Sequence, residues 1–287
     1  MSPKLLKVEK RLYREVMVEI RKQVGAMPPE LQRYENEYRQ YMTQELITPS
    51  APEGAMQAVC DVEVVYCGDY HTYSQAQATL VRVLQTLVHA GREVVLGVEC
   101  ILSDYQTNLD FYMAGEISES KFLRLIDWKM TWGFSWENYR PIFEWARENS
   151  LSMVGLNGPG MALRGSLKRR DLHASKIIAA TMQSHPKRIM VVQQGDLHLA
   201  PSHLPNKVKL ALGRNVRQVI LLQNYDQPYW QYGYAADAVR VNHEVFVLFH
   251  RPLFRKPLSY LEWLTEGDYG FEQFRDELEG QYLSALG

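Results

Sequence analysis

The sequence predicts an α/β domain built on a mainly parallel central sheet flanked by helices. Three observations support this class. Short, nearly continuous apolar runs recur from residue 62 onward, stretches with helical spacing separate them, and the first 45 residues have helical spacing only. Apolar strands that alternate with helices are typical of a parallel sheet covered on both faces. We therefore expect such a sheet, with a helical insertion and an N-terminal helical extension.

The N-terminal segment predicts two helices. Apolar residues recur every three or four positions over residues 3–24, and a second helix is expected over residues 29–45, after Pro28. The first helix carries an excess of basic residues, which form either a solvated face or a surface for an anionic partner or membrane. Residues 48–54 are rich in Pro, Ser and Gly and predict a linker.

The remaining elements follow from apolar runs and helical spacing. Helices are expected at 74–90 and 171–183, and residues 104–150 form a helical insertion without strands. Residues 238–242 and 245–250 predict an antiparallel pair at the sheet edge. The predicted parallel strands cover residues 62–67, 93–98, 151–156, 188–193 and 216–222. The expected divisions are 1–54 (extension and linker), 55–265 (α/β domain) and 266–287 (C-terminal helical tail).

Composition excludes several classes of protein. The 32 basic and 33 acidic side chains give a net charge of −1, so nothing indicates a nucleic-acid partner. Three cysteines, in apolar surroundings, do not form a disulfide framework and favour a reducing compartment. No apolar stretch approaches the roughly 18 residues of a transmembrane helix, and no signal peptide is evident. We expect a cytoplasmic protein.

Polar residues follow the predicted strands at their carboxyl ends. Gly68-Asp69-Tyr70-His71 follows the first strand, Gly195-Asp196-Leu197-His198 follows the fourth, and Glu99 ends the second. In open parallel sheets, ligands bind where the loops leave these ends. Each motif could be a simple turn off a strand, but two copies in equivalent positions, together with Glu99, favour a shared functional crevice.

The residue types in this crevice suit two kinds of chemistry. His71 and His198, with Asp69, Asp196 and Glu99, form a donor set that suits a divalent Mn, Fe or Zn ion. Such a site could hydrolyse an amide, ester or lactone, with His71, His198 and Glu99 as catalytic residues and Glu99 as the general base. A metal-free version, in which a histidine activates water, is also open.

The ordered motifs resemble those of the ChaN-like family of haem-binding, iron-regulated lipoproteins. That family belongs to a superfamily with the Tiki proteases and the erythromycin esterases. The resemblance covers roughly residues 60–265. It rests on the motifs at Gly68–His71, Gly97–Glu99, Trp132–Pro141, Val154–Asn157, Gly195–His198, Leu222–Asn224 and Ser259–Leu264.

The resemblance implies a protein that binds haem or another small molecule and that could form a homodimer. Haem iron in ChaN-like proteins is associated with tyrosine and histidine, so His71, Tyr70 and Tyr73 are the expected cofactor-binding residues. His71, His198 and Glu99 match active-site positions of the superfamily, whereas Asp69 stands where glutamate is more usual. The alternatives are the metal-dependent hydrolase and an interaction protein that acts through its basic N-terminal helix.

Overall fold

The structure is a computed structural model that describes residues 2–44, 46–158, 166–266 and 269–286. The strands are β1 (Thr48–Ser50), β2 (Val64–Asp69), β3 (Val94–Leu102), β4 (Ser152–Asn157), β5 (Ile189–Gly195), β6 (Gln218–Gln223), β7 (Ala238–Arg240) and β8 (Val245–Leu248). The helices are α1 (Pro3–Val24), α2 (Pro29–Gln44), α3 (Pro52–Ala58), α4 (Ser74–His89), α5 (Gln106–Met113), α6 (Glu119–Leu125), α7 (Trp128–Thr131), α8 (Trp136–Glu148), α9 (Leu167–Ser184), α10 (Leu204–Leu212), α11 (Asp226–Tyr232), α12 (Arg255–Leu264) and α13 (Tyr269–Leu286).

The eight strands form one sheet in the order β1-β7-β8-β6-β2-β5-β3-β4. Every pair from β8 to β4 is parallel, whereas β7 is antiparallel to β8 and to β1. Every residue of β2, β5 and β6 is buried, which explains why these strands read as continuous apolar runs. The predicted α/β class with a mostly parallel sheet is confirmed.

The edge of the sheet differs from the prediction. The antiparallel pair β7–β8 was expected at the edge, but β8 also pairs in parallel with β6, so that pair lies inside the sheet. The edge strand is β1, from the segment predicted as a linker, and α3 follows it. Pro49 is compatible with this position, because an edge strand leaves one side of its backbone unpaired.

The N-terminal helices pack on the rest of the chain. Leu5, Leu12 and Val16 of α1 are buried in a cluster with apolar residues of α12 and α13, and α2 contacts the turn at Asp196–Leu199. Glu45, the predicted end of the second helix, lies outside the described residues, as do 267–268 and 287 of the predicted tail. In the described ranges, no helix has the length and apolar character needed to cross a membrane.

The insertion between β3 and β4 contains helices α5 to α8. Its aromatic side chains pack on one another and on the sheet: Trp128 and Trp136 meet edge to face, and Tyr139 is fully buried. These aromatic residues come from two helices, α7 and α8, and from the segment between them, where Gly133 has a positive φ. This aromatic layer covers the carboxyl ends of β2 and β3.

Candidate functional site

The carboxyl ends of β2, β3 and β5 bring the predicted site residues together at Gly195. A Cβ atom at that glycine would lie 3.3 Å from His71 Cε1, 3.4 Å from Glu99 Oε2 and 3.6 Å from His198 Cδ2. The three side chains come from three different strand ends, because β5 lies between β2 and β3 in the sheet. Glycine suits this position because the three side chains leave little room for a Cβ atom.

Asp69 is the most heavily hydrogen-bonded residue of the site. Its Oδ2 atom receives His71 Nδ1 at 2.8 Å and the Tyr139 hydroxyl at 2.8 Å, and Gln193 Nε2 donates to the same oxygen. Gln77 Nε2 donates to Oδ1 at 2.6 Å. Asp69 is 3% exposed, so these donors replace the water that the carboxylate loses. Asp69 therefore fixes the His71 ring through Nδ1 and leaves Nε2 without a hydrogen bond to this carboxylate.

His71 lies against the aromatic layer of the insertion. Its ring centroid is 4.6 Å from that of Trp132 and 4.7 Å from that of Phe134, and 25% of its side chain is exposed. Burial lowers the pKa of His71, but the carboxylates of Asp69 and Glu99 outweigh that effect, so its pKa is raised above the ordinary value. The Asp69 carboxylate thus makes the His71 ring more basic than a free imidazole.

Glu99 lies within β3 at a break in its register with β4, between Val98 and Leu102. A bulge of this kind turns a side chain away from the regular alternation of the strand. Its Oε2 accepts the Gly195 N–H at 2.7 Å, and Arg170 donates to Oε1. Burial raises the pKa of Glu99, but Arg170 and the nearby histidines more than offset it, and its pKa is lowered. A charged, fully engaged carboxylate is a weak general base, which argues against the catalytic role expected for Glu99.

The two Gly-Asp-x-His motifs are not equivalent in the structure. His198 Nδ1 bonds Asp171 of α9, not Asp196 of its own motif. Asp196 begins a short 3-10 turn and pairs instead with Lys256 Nζ of α12 at 2.7 Å. The difference arises because Asp69 is the last residue of its strand, whereas Asp196 already belongs to the following turn. Burial outweighs Lys256 and raises the pKa of Asp196.

A largely apolar cavity of about 430 Å³ opens beside these strand ends. Its volume lies in the range of roughly 300–1,000 Å³ that is usual for small-molecule sites. His71, Tyr70 and Asp196 line one wall. The opposite wall is built by α1 and α2, with the apolar side chains of Met17, Ile20, Val24 and Leu31. The N-terminal extension is thus part of the cavity.

Tyr73 lies apart from this cavity. Its hydroxyl accepts a hydrogen bond from Asn224 Nδ2 at 3.3 Å, and its ring faces His250. It lines a separate polar groove with Arg255 and Ser259. Of the three residues expected to bind a cofactor, the structure brings His71 and Tyr70 to one cavity and places Tyr73 elsewhere.

The expected divalent-metal set does not form a site. Among the described residues, no group of three or more His, Cys, Asp or Glu side chains is arranged to hold a metal ion. The reason is visible at each ligand: Asp69 is engaged by amide, phenol and imidazole donors, Glu99 by Arg170, and Asp196 by Lys256. We derive no chemistry through a divalent ion.

Several site residues were missed in the sequence. Tyr139, Gln77 and Gln193 fix Asp69, and Asp171 fixes His198. Arg170, in the first turn of α9, binds the Glu99 carboxylate. Spacing gave no signal for the others, because they lie on helices or inside a strand rather than at strand ends.

Comparison with known proteins supports the resemblance seen in the motifs. The model of the family described as haem-binding uptake, Tiki superfamily, ChaN matches residues 55–176. The resemblance to the ChaN-like family is confirmed over that segment. The matched segment contains Asp69, His71, Glu99 and Tyr139, whereas His198 and helices α1 and α2 lie outside it. A search among curated proteins gave no match.

Several solved structures are similar to this chain at low sequence identity. The chain is similar to ChaN of Campylobacter jejuni, from a study of cofacial haem binding, with 11% identity over 69% of this chain and 92% of that one and a TM-score of 0.47. It is also similar to the type III effector HopBA1, with 13% identity over 72% and 96% of the two chains and a TM-score of 0.50. A further similar structure is RRSP, a toxin effector domain from Vibrio vulnificus, with 19% identity over 66% and 40% and a TM-score of 0.40.

Proposed function

We propose that this ChaN-like protein binds haem in the cavity at the strand ends, with His71 as the iron ligand. The observation that carries the proposal is His71 on the cavity wall, hydrogen-bonded to the buried Asp69. A carboxylate that receives Nδ1 fixes the ring and leaves Nε2 as the ligand atom, as second-shell carboxylates do for metal-bound histidines. Haem, when bound, would supply an iron ion that His71 Nε2 could ligate.

The cavity suits a flat apolar ligand. Phe134, Leu253 and Pro257 line it together with the apolar residues of α1 and α2. Tyr70 is the second candidate ligand on the wall, but burial raises the pKa of its phenol, which favours the neutral form over the phenolate that iron binds. We therefore propose His71, rather than Tyr70, as the iron ligand.

A haemin titration followed by absorbance tests this proposal. The wild-type protein should give a saturable Soret shift, and His71→Ala should lose it. Asp69→Asn should weaken haem affinity about 10–100-fold, as loss of second-shell support typically does. His243→Ala is the matched control, because that side chain is 81% exposed and precedes β8, at the amino ends of the parallel strands. An equal, unsaturable response of all four proteins would overturn the proposal.

A second candidate function rests on the convergence at Gly195. His71, Glu99 and His198 lie around one glycine, a grouping of acid and base side chains suited to hydrolysis of an ester, amide or lactone without a metal. We propose for this case that His198 takes a proton from water and that His71, with its raised pKa, gives a proton to the leaving group. Turnover of model esters and amides that His198→Gln and His71→Gln both abolish would support it. Turnover unchanged in both variants would refute it.

A further inference from the structure

Helix α2 reaches the candidate site through one buried carboxylate. The Tyr34 hydroxyl donates to Asp171 Oδ2 at 3.0 Å, and Lys207 Nζ donates to the same oxygen at 3.1 Å. The other oxygen, Oδ1, receives His198 Nδ1. Asp171 is 0% exposed, and Tyr34 and His198 are each 4% exposed. Water therefore cannot substitute readily for any of these three bonds.

The same helix holds the segment that carries His198 at a second point. Glu37 Oε2 accepts His203 Nε2 at 2.7 Å, and His203 Nδ1 donates to the Leu197 carbonyl at 2.6 Å. The rings of Tyr34 and His203 lie 4.0 Å apart. Helix α2 thus contacts the chain on both sides of His198, through Asp171 and through His203.

The Asp171 carboxylate determines which nitrogen of His198 carries the proton, because its oxygen atoms can only accept a hydrogen bond. Because Tyr34 and Lys207 both occupy Oδ2, Oδ1 remains as the acceptor for His198 Nδ1–H. In the neutral ring, Nε2 then carries the lone pair and faces Glu99 Oε1 at 3.7 Å. That separation exceeds hydrogen-bond distance, as expected for a lone pair opposite a carboxylate oxygen.

We infer that α2 is a working part of the strand-end site and that Tyr34, acting through Asp171, is a positioning residue for His198. This assigns a role to residues 29–44, outside the segment that matches the ChaN-like family. The consequence is a second carboxylate-oriented imidazole, Asp171–His198, which meets Gly195 as Asp69–His71 does. Its Nε2 is the free atom that can exchange a proton with a ligand.

The ring nitrogens of His198 report this arrangement directly. We expect ¹⁵N NMR of the ligand-free protein at alkaline pH, with the resonance assigned among the eight histidines by His198→Gln, to give the Nδ1–H tautomer. In Asp171→Asn the donors Tyr34 and Lys207 keep the amide oxygen on their side, so the amide nitrogen faces His198 and the tautomer should change to Nε2–H. A wild-type ring in the Nε2–H form, or no change in Asp171→Asn, would overturn the inference.

Tyr34→Phe tests the contribution of α2 itself. Removal of the hydroxyl should shift the His198 ring resonances while the fold is retained. Tyr232→Phe is the matched control. It also removes a tyrosine hydroxyl that donates to the N-terminal segment, to the Ile47 carbonyl at 2.9 Å. Equal spectra for both variants would refute the role of Tyr34. Since no haem is added, the outcome is independent of the haem titration.

Discussion

Tyr139 and His71 share one acceptor, because both donate to Asp69 Oδ2 at 2.8 Å. The helical insertion between β3 and β4 therefore contributes a side chain, Tyr139, to the strand-end site. Tyr139 comes from α8, is fully buried, and has a pKa raised by burial and by the Asp69 charge, so it remains a donor at every physiological pH. The Asp69 carboxylate thus binds both Tyr139 of helix α8 and His71, the proposed iron ligand.

Tyr139→Phe should destabilise the protein by about 1.5–3 kcal/mol, the usual effect of losing a hydrogen bond to a charged group. The pKa of His71 should rise further, since Asp69 then offers more of its negative charge to the imidazole. Denaturant unfolding and an NMR titration of His71 measure the two effects. Tyr105→Phe, on the partly buried surface of the insertion, should change neither. An unchanged His71 pKa would mean that the shared acceptor has no electrostatic effect.

The raised pKa of His71 also predicts a pH dependence of stability. Its folded-state pKa exceeds the unfolded value of about 6.5, so the folded protein binds the proton more tightly. The stabilisation is fully present below the unfolded pKa and is lost as pH rises through the folded pKa. Unfolding free energies of wild type and His71→Gln, measured across this window, should therefore converge towards alkaline pH. A constant difference would contradict the linkage.

The strands and the strand-end side chains could be predicted because their signals are local. The predicted strand starts lie within two residues of the observed ones for β2 to β6, since a buried parallel strand is a continuous apolar run. Asp69, His71, Glu99 and His198 were found together because parallel strands end at the same edge. This prediction requires only the position where each apolar run ends and the identity of the residues that follow it.

The rest depends on pairings distant in sequence. β1 has no apolar run, and its strand conformation comes from pairing with β7, about 190 residues away. Asp171 was missed because it lies on a helix 27 residues before His198, and the repeated motif suggested Asp196 instead. Repetition of a motif indicates equivalent backbone positions, but the neighbouring side chains determine which carboxylate each histidine receives.

Glu9 should make the docking of α1 sensitive to pH. It is 0% exposed, its Oε1 accepts bonds from the Tyr229 hydroxyl at 2.6 Å and the Leu253 N–H, and its Oε2 has no hydrogen-bond partner among the described residues. Burial raises its pKa, and the two bonds offset this only in part. The folded state thus favours the protonated acid, and stability should fall as pH rises through the folded pKa.

Glu9→Gln should remove that part of the pH dependence and leave the protein at least as stable at neutral pH, because the amide oxygen keeps both bonds without a buried charge. Denaturant unfolding at acid and neutral pH measures this. Glu15→Gln is the control on the same helix, with a side chain 41% exposed and only a 3.7 Å ion pair to Arg11. An unchanged pH profile in Glu9→Gln would mean that Glu9 titrates normally in the folded state.

Gly195→Ala should disturb both histidines at once. The new methyl group would lie 3.3 Å from His71 Cε1 and 3.6 Å from His198 Cδ2, so it would crowd both imidazole rings. We expect weaker haem binding and shifted ring resonances of both histidines, with the fold retained. Gly280→Ala, in α13 with no atom within 4 Å of the added Cβ, should instead raise stability by up to about 1 kcal/mol. If Gly195→Ala binds haemin as tightly as Gly280→Ala does, the space at Gly195 is not part of the ligand site, and the two histidines act independently.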